Sequence, residues 1–343
     1  MADDSAEITP ALSLEMLPWH EAARLRLEAA AGSGRLPHAV LVHGPGGVGK
    51  ERFAGAVAAA LLCARRGQRF AACGACAECA LVRAGSHPDL HWLRPAAERR
   101  SIGVDQVREA CEQLGMTSMR GGFRVAVIVP AQAMTTNAQN ALLKTLEEPA
   151  ARTLLVLVTS RPSALLPTLR SRCQRLEIAC PPEDAASAWL ERETGAPVAD
   201  GLLELAGGAP LRALEIAPHY GELDAQMTEL LAGLLAGRGE ACAVAAGMMG
   251  EGLPVRLDWL ERWLGRVVRG CALSNATRLT VRGGAVLQRA AAEVNISAAF
   301  RIVDRVREVR RLLEGSAAPQ LLVEALLVDV AGALGSRGVA RWP

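Results

Sequence analysis

The sequence predicts a parallel α/β domain followed by an all-helical region, on three observations. Short β-rich apolar runs alternate with longer helical patterns as far as Cys180-Pro181-Pro182. A glycine-rich loop joins the first of these runs to the first long helical pattern, and no strand pattern follows the prolines. Near-continuous apolar strands separated by helices mark a parallel sheet covered on both faces.

In chain order the strand runs are Ala39–His43, Leu90–Leu93, Val125–Val129, Leu154–Val158 and Arg175–Ile178. Helical patterns over Lys50–Ala64, Gly103–Met116 and Asn137–Glu148 lie between them, the last with a polar start at Thr136 and Asn137 and a stop at Pro149. Residues 183–219 predict two short helices around Gly207-Gly208-Ala209-Pro210. From about residue 221 the pattern is wholly helical, with Leu257, Leu260, Leu264, Val267 and Val268 at three- and four-residue spacing. Segments 298–314 and 318–334 predict two further long helices joined at Gly315-Ser316.

At 343 residues the chain is long enough for two or three cores. Half of it is apolar and 22% charged, as expected of a globular protein. A net charge of +2 gives no global electrostatic footprint for nucleic acid. The N-terminal stretch MADDSAEITPALSLEML has no basic-then-apolar signal pattern, and the apolar run from Phe53 to Ala64 is too short to span a bilayer. Four of the nine cysteines fall between Cys63 and Cys79, which suits a reducing compartment and a metal site better than a disulfide scaffold. A cytoplasmic setting without membrane partners is expected.

The loop His43-Gly44-Pro45-Gly46-Gly47-Val48-Gly49-Lys50-Glu51 follows a strand and opens a helix, the context of a phosphate-binding loop. Its glycines let backbone N–H groups face an anion at a helix N-terminus, and Lys50 would reach the outer phosphates. The next residue departs from the pattern. A Ser or Thr hydroxyl would hold magnesium there, whereas Glu51 brings a negative charge close to the phosphates. Phosphoryl transfer also needs an acidic group at the end of another strand. After Val125–Val129 come Pro130-Ala131-Gln132-Ala133, with no carboxylate. Both magnesium-holding groups are therefore missing, and autonomous ATP hydrolysis is not expected.

Cys63, Cys73, Cys76 and Cys79 give C-x9-C-x2-C-x2-C. Four thiolates on a short segment suit a closed, structural tetrahedral Zn(II), with an iron–sulfur cluster as the lesser rival and unligated thiols as the bland reading.

Two more stretches matter in combination: NALLKTLEEP (Asn140–Pro149), and Ser171-Arg172-Cys173 just before the fifth strand run. Separately they read as an amphipathic helix and a basic turn. In this order, after a phosphate loop and a four-cysteine insert, they resemble the clamp-loader branch of the AAA+ ATPases. The likeness is specific over about residues 15–215 and architectural beyond. It implies an AAA+ domain (P-loop NTPase-like) over 1–180 with a zinc module at 63–79, a small helical lid over 181–219 and a helical collar over 220–343.

The same resemblance implies a heteropentameric ring with motor (tau/gamma) and delta subunits, acting with the sliding clamp and primer-template DNA. It assigns Arg172 as an arginine finger toward a neighbour's nucleotide. Gly44, Gly49, Lys50, Thr159 and Arg212 would be the remains of a nucleotide site, with Thr159 at the polar sensor position and Arg212 at the lid arginine. Glu51 and Pro130-Ala131 depart from the motor subunits and separate this chain from them. The rival readings are an active AAA+ motor and a stand-alone zinc-dependent DNA-binding protein; the missing acidic groups oppose the first and the weak net charge the second.

Overall fold

The computed structural model describes residues 12–67, 69–96, 99–237, 240–272, 296–313 and 317–334. The predicted joint at Gly315-Ser316 lies outside the described residues. The chain divides into two compact units, one of residues 1–195 with 208–212, the other of 196–207 with 213–343. The segment 181–219 contributes to both.

The first unit is built on five parallel strands: β1 (Ala39–His43), β2 (Leu90–Leu93), β3 (Arg124–Ile128), β4 (Thr153–Thr159) and β5 (Gln174–Glu177). They lie side by side in the order β2-β3-β4-β1-β5. All five predicted runs form strands, with ends shifted by a residue or so. The third stops at Ile128 because Pro130 has no N–H to continue the ladder.

Its helices are α1 (Glu21–Gly32), α2 (Lys50–Leu62), α3 (Ala77–Arg83), α4 (Val104–Gly115), α5 (Thr136–Glu147), α6 (Pro167–Arg172) and α7 (Glu183–Thr194). Alternation along each strand feeds two cores. Val40, Val42, Val125, Val127, Val156 and Val158 pack with the Ala-rich α2 on one face. On the other, Leu41, Ala126, Ile128, Leu155 and Leu157 meet Leu114 of α4, Leu142 and Leu146 of α5 and Leu169 of α6. Each fully buried Leu or Ile side chain contributes roughly 1.5–3 kcal/mol relative to exposure. This double-sided burial is why the strands read as unbroken apolar runs.

The second unit is helical among its described residues. It comprises α8 (Leu202–Leu205), part of α9 (Pro210–Ile216), α10 (Tyr220–Leu235), α11 (Ala241–Met248), α12 (Leu253–Ala272), α13 (Ile296–Leu312) and α14 (Pro319–Leu334). Helix α12 buries Leu257, Leu260, Leu264 and Val267, the spacing read from the sequence. Its Trp259 donates an indole N–H to Asp224 Oδ1 of α10 at 2.8 Å and stacks on Trp263. No helix among the described residues is long and apolar enough to cross a membrane.

Candidate functional site

The C-terminal end of β1 turns through the glycine-rich loop into α2. The turn is closed by packing from the chain's own residues. Gly49 (φ +81°) has Leu17 Cδ1 and His20 Nε2 where a Cβ would stand, at 2.5 and 3.2 Å. A Cβ on Gly44 would fall 2.0 Å from the Ile178 carbonyl oxygen. From the other side the Leu211 N–H donates to the Gly47 carbonyl at 3.1 Å, and a Cβ on Gly47 would fall 2.5 Å from Arg212 Cβ. Arg212, the third residue of α9, thus lays the root of its side chain on the loop.

Two aromatic residues lock the same turn. Trp19 Nε1 and His20 Nε2 both reach the Val48 carbonyl, at 2.9 and 3.1 Å. His20 is fully buried and accepts the Leu17 N–H on Nδ1, which makes Nε2 the protonated nitrogen. Burial pushes its pKa down to about 4, and nearby Arg52 adds to this against the Val48 hydrogen bond. Trp19 also packs edge-on against Trp189 of α7, with ring centroids 5.3 Å apart.

Lys50 donates from Nζ to the Pro45 carbonyl. It is only 7% exposed, and burial lowers its pKa to about 8. The carboxylate of Glu51 pairs with Arg94, just past β2, so its charge is taken up within the chain. Beyond β3, in the segment Pro130–Ala133 that carries no carboxylate, Gln132 Oε1 accepts the Thr159 hydroxyl at 2.6 Å. Thr159 is buried and also accepts the Arg161 N–H. Gly44, Gly49 and Lys50 lie in or next to the loop, Arg212 packs on its Gly47, and Thr159 pairs with His43 at the neighbouring strand end. The carbonyls of Pro45, Gly47 and Val48 are all engaged by groups of the same chain.

The four cysteines also converge. Cys63 caps the end of α2, Cys76 caps the start of α3 and Cys79 lies inside α3, so the expected loop carries a helix that buries two of its thiols. Their sulfurs lie within 4.8 Å of one another, with Cys63–Cys76 and Cys73–Cys79 both 3.9 Å apart. A tetrahedron of ~2.3 Å metal–sulfur bonds has edges of roughly 3.8 Å. The arrangement therefore fits one four-coordinate ion. Burial pushes the Cys79 thiol up to about 12, and burial also opposes ionisation of Cys76, which N–H groups of Cys79 and Ala64 nevertheless bring down to about 6. A dication held by the four sulfurs would let all of them ionise.

Helix α3 is held in place by Glu78. Its carboxylate receives Arg120 through Nε and Nη2 and lies 3.1 Å from His87 Nε2. The segment Leu12–Leu17 links this module to the loop. Leu12 N–H donates to the Arg83 carbonyl at 3.1 Å, Leu14 packs on the cysteines, and Leu17 abuts Gly49. These contacts join residues far apart in sequence, and no local pattern announced them.

Arg172 ends α6, immediately before β5. Its Nη1 donates to the Thr168 carbonyl at 3.0 Å and its Nη2 meets Glu147 Oε1 at 2.6 Å. The side chain remains 37% exposed.

A family model described as DNA polymerase III, delta subunit, matches residues 19–182. The DNA polymerase III subunit delta-prime of Pseudomonas aeruginosa is 39% identical over 261 residues, 74% of this chain and 78% of that protein. The chain belongs to the delta-prime family of DNA polymerase III subunits. The delta-prime protein of Escherichia coli is 38% identical over 253 residues, 72% of this chain and 74% of its own length. Among solved structures, a DNA polymerase III gamma-subunit-related protein of Thermotoga maritima aligns over 91% of this chain and 98% of its own at 18% identity and a TM-score of 0.44. Residues 19–182, which the family model matches, include the five strands, the glycine-rich loop, the cysteine module and Arg172.

Proposed function

We propose that this delta-prime family member is an ATPase-deficient subunit of a clamp loader, the ring that opens a sliding clamp and places it on primed DNA. Its neighbours in a five-membered assembly would be motor subunits of the tau/gamma type and a delta subunit. The observation that carries this reading is a phosphate loop that keeps its fold after losing both magnesium-holding groups. Glu51 is paired with Arg94, and Gln132 is bonded to Thr159. Without a magnesium site the γ-phosphate charge cannot be neutralised, so this loop serves as a packed structural element.

The arginine it contributes is Arg172. A guanidinium is always ionised, and its planar fork matches phosphate oxygens. Standing at the end of α6 with much of its side chain in solvent, it is available to a nucleotide held by an adjacent motor subunit. The four cysteines hold a structural zinc, and residues 1–180, 181–219 and 220–343 serve as AAA+ domain, lid and collar. In this reading the collar helices close the ring, and DNA is met through the assembled complex.

The test is reconstitution. Purified chain, motor and delta subunits, clamp, ATP and primed DNA should load clamps, and omission of this chain should abolish loading. By equilibrium dialysis the chain alone should bind ATP weakly or not at all. Full loading activity without the chain would refute the assignment.

A further inference from the structure

The motifs NALLKTLEEP and Ser171-Arg172-Cys173 touch through one ion pair, Glu147 to Arg172, at 2.6 Å. We infer that Glu147 is the positioning residue for Arg172: it holds the guanidinium in the orientation in which a neighbour's phosphate receives it. This inference rests on the arginine-finger reading above and names the group in the same chain that makes the finger effective.

The backbone of Arg172 needs no such help. Leu169 is fully buried on one side and Cys173 is 8% exposed on the other, which fixes the last turn of α6. Ser171 adds a hydroxyl bond to the Thr168 carbonyl at 3.0 Å. What stays free is the long side chain, whose many rotamers oppose any fixed placement. Two contacts restrain it, one on each terminal nitrogen: Thr168 O on Nη1 and Glu147 Oε1 on Nη2. Together they set the plane of the fork.

A guanidinium carries five N–H donors, and these two contacts leave others for phosphate oxygens. Glu147 itself sits on α5, whose Leu142 and Leu146 are anchored in the core, so the acceptor is mounted on a rigid element. A functional group held by a second side chain on a packed helix is the arrangement that precise placement requires. The opposite role, a carboxylate that competes with phosphate for the arginine, predicts the reverse sign on removal.

The test uses the reconstituted complex with clamp and primed DNA, and steady-state ATP hydrolysis over a range of ATP concentrations. Arg172→Ala first defines the part of kcat that depends on the finger. An exposed ion pair contributes at most about 1 kcal/mol, so Glu147→Ala should cut that part by about two- to fivefold, with KM for ATP unchanged. Glu147→Gln keeps an acceptor oxygen and should recover most of the rate. In the Arg172→Ala background, Glu147→Ala should have no further effect, which a general structural role would not predict. If Arg172→Ala slows the complex while Glu147→Ala leaves it unchanged or speeds it, the positioning role is overturned and the finger stands. A normal rate in Arg172→Ala removes the finger itself, and with it this inference.

Discussion

Adding one methyl group at Gly47 tests whether the phosphate loop is held by the chain's own packing. Gly47 adopts φ +76°, and a left-handed backbone costs a residue with a Cβ roughly 1–2 kcal/mol. The new Cβ would fall 2.5 Å from Arg212 Cβ, 3.0 Å from Arg212 N and 3.3 Å from Ala209 Cβ. Two of these atoms are side-chain roots and one is backbone, so the helix start must move, and overpacking of this kind costs ~1–3 kcal/mol. Stiffening of the unfolded chain returns about 0.4–1 kcal/mol. Gly47→Ala should therefore destabilise the loop region by roughly 2–4 kcal/mol. At Gly46 nothing lies within 4 Å of the added atom, and Gly46→Ala should stay within about 0.5 kcal/mol. Because two compact units need not unfold together, the readout is native-state hydrogen exchange of peptides spanning residues 39–62 across a urea series. A loss below about 1 kcal/mol at Gly47, or equal losses at both positions, would refute the packing argument.

Three further outcomes follow from the same contacts. The purified protein should hold about one zinc, lost on Cys76→Ser and measurable by elemental analysis. Its removal should speed exchange in residues 63–83 and also in Leu12–His20, which is tied to the module through Leu12 and Leu14, while β3 stays protected. His20 is neutral when folded, with a pKa lowered from 6.5 to about 4, so the unfolded chain takes up a proton first as pH falls. The stability due to neutral His20 is complete above about pH 6.5 and drains away down to about pH 4, by up to ~3 kcal/mol, a slope that urea titrations should find reduced in His20→Gln.

The sheet was legible because its strands are buried on both faces, which leaves an unmistakable apolar signal at Ala39–His43 and Leu154–Val158. Helix α1 was not legible, since it buries only Ala23 and Leu27 along twelve residues and shows little periodicity. Helices α3 and α6 were too short for a pattern, and α3 takes its place from its cysteines and from Glu78. The loop and the cysteine quartet were readable as motifs because their chemistry fixes spacing along the chain. Their supports were not. Trp19 meets Val48 across 29 positions, and Arg120 meets Glu78 across 42. Glu51 shows the limit most clearly: the sequence exposed the lost hydroxyl, but only the fold reveals Arg94 as the partner of the carboxylate that replaced it.

The most direct measurement compares two variants of this chain, Lys50→Ala and Arg172→Ala, each assembled into the complete complex with clamp and primed DNA. Lys50 belongs to a loop that holds no magnesium group, whereas Arg172 faces outward at the end of α6. ATP hydrolysis and clamp loading should be close to normal with Lys50→Ala. With Arg172→Ala both should fall several-fold, since an arginine finger is worth roughly a thousandfold at its own site and the remaining sites mask part of the loss. Normal rates with Arg172→Ala together with a slow Lys50→Ala complex would mean that this chain performs its own ATP chemistry, contrary to the account.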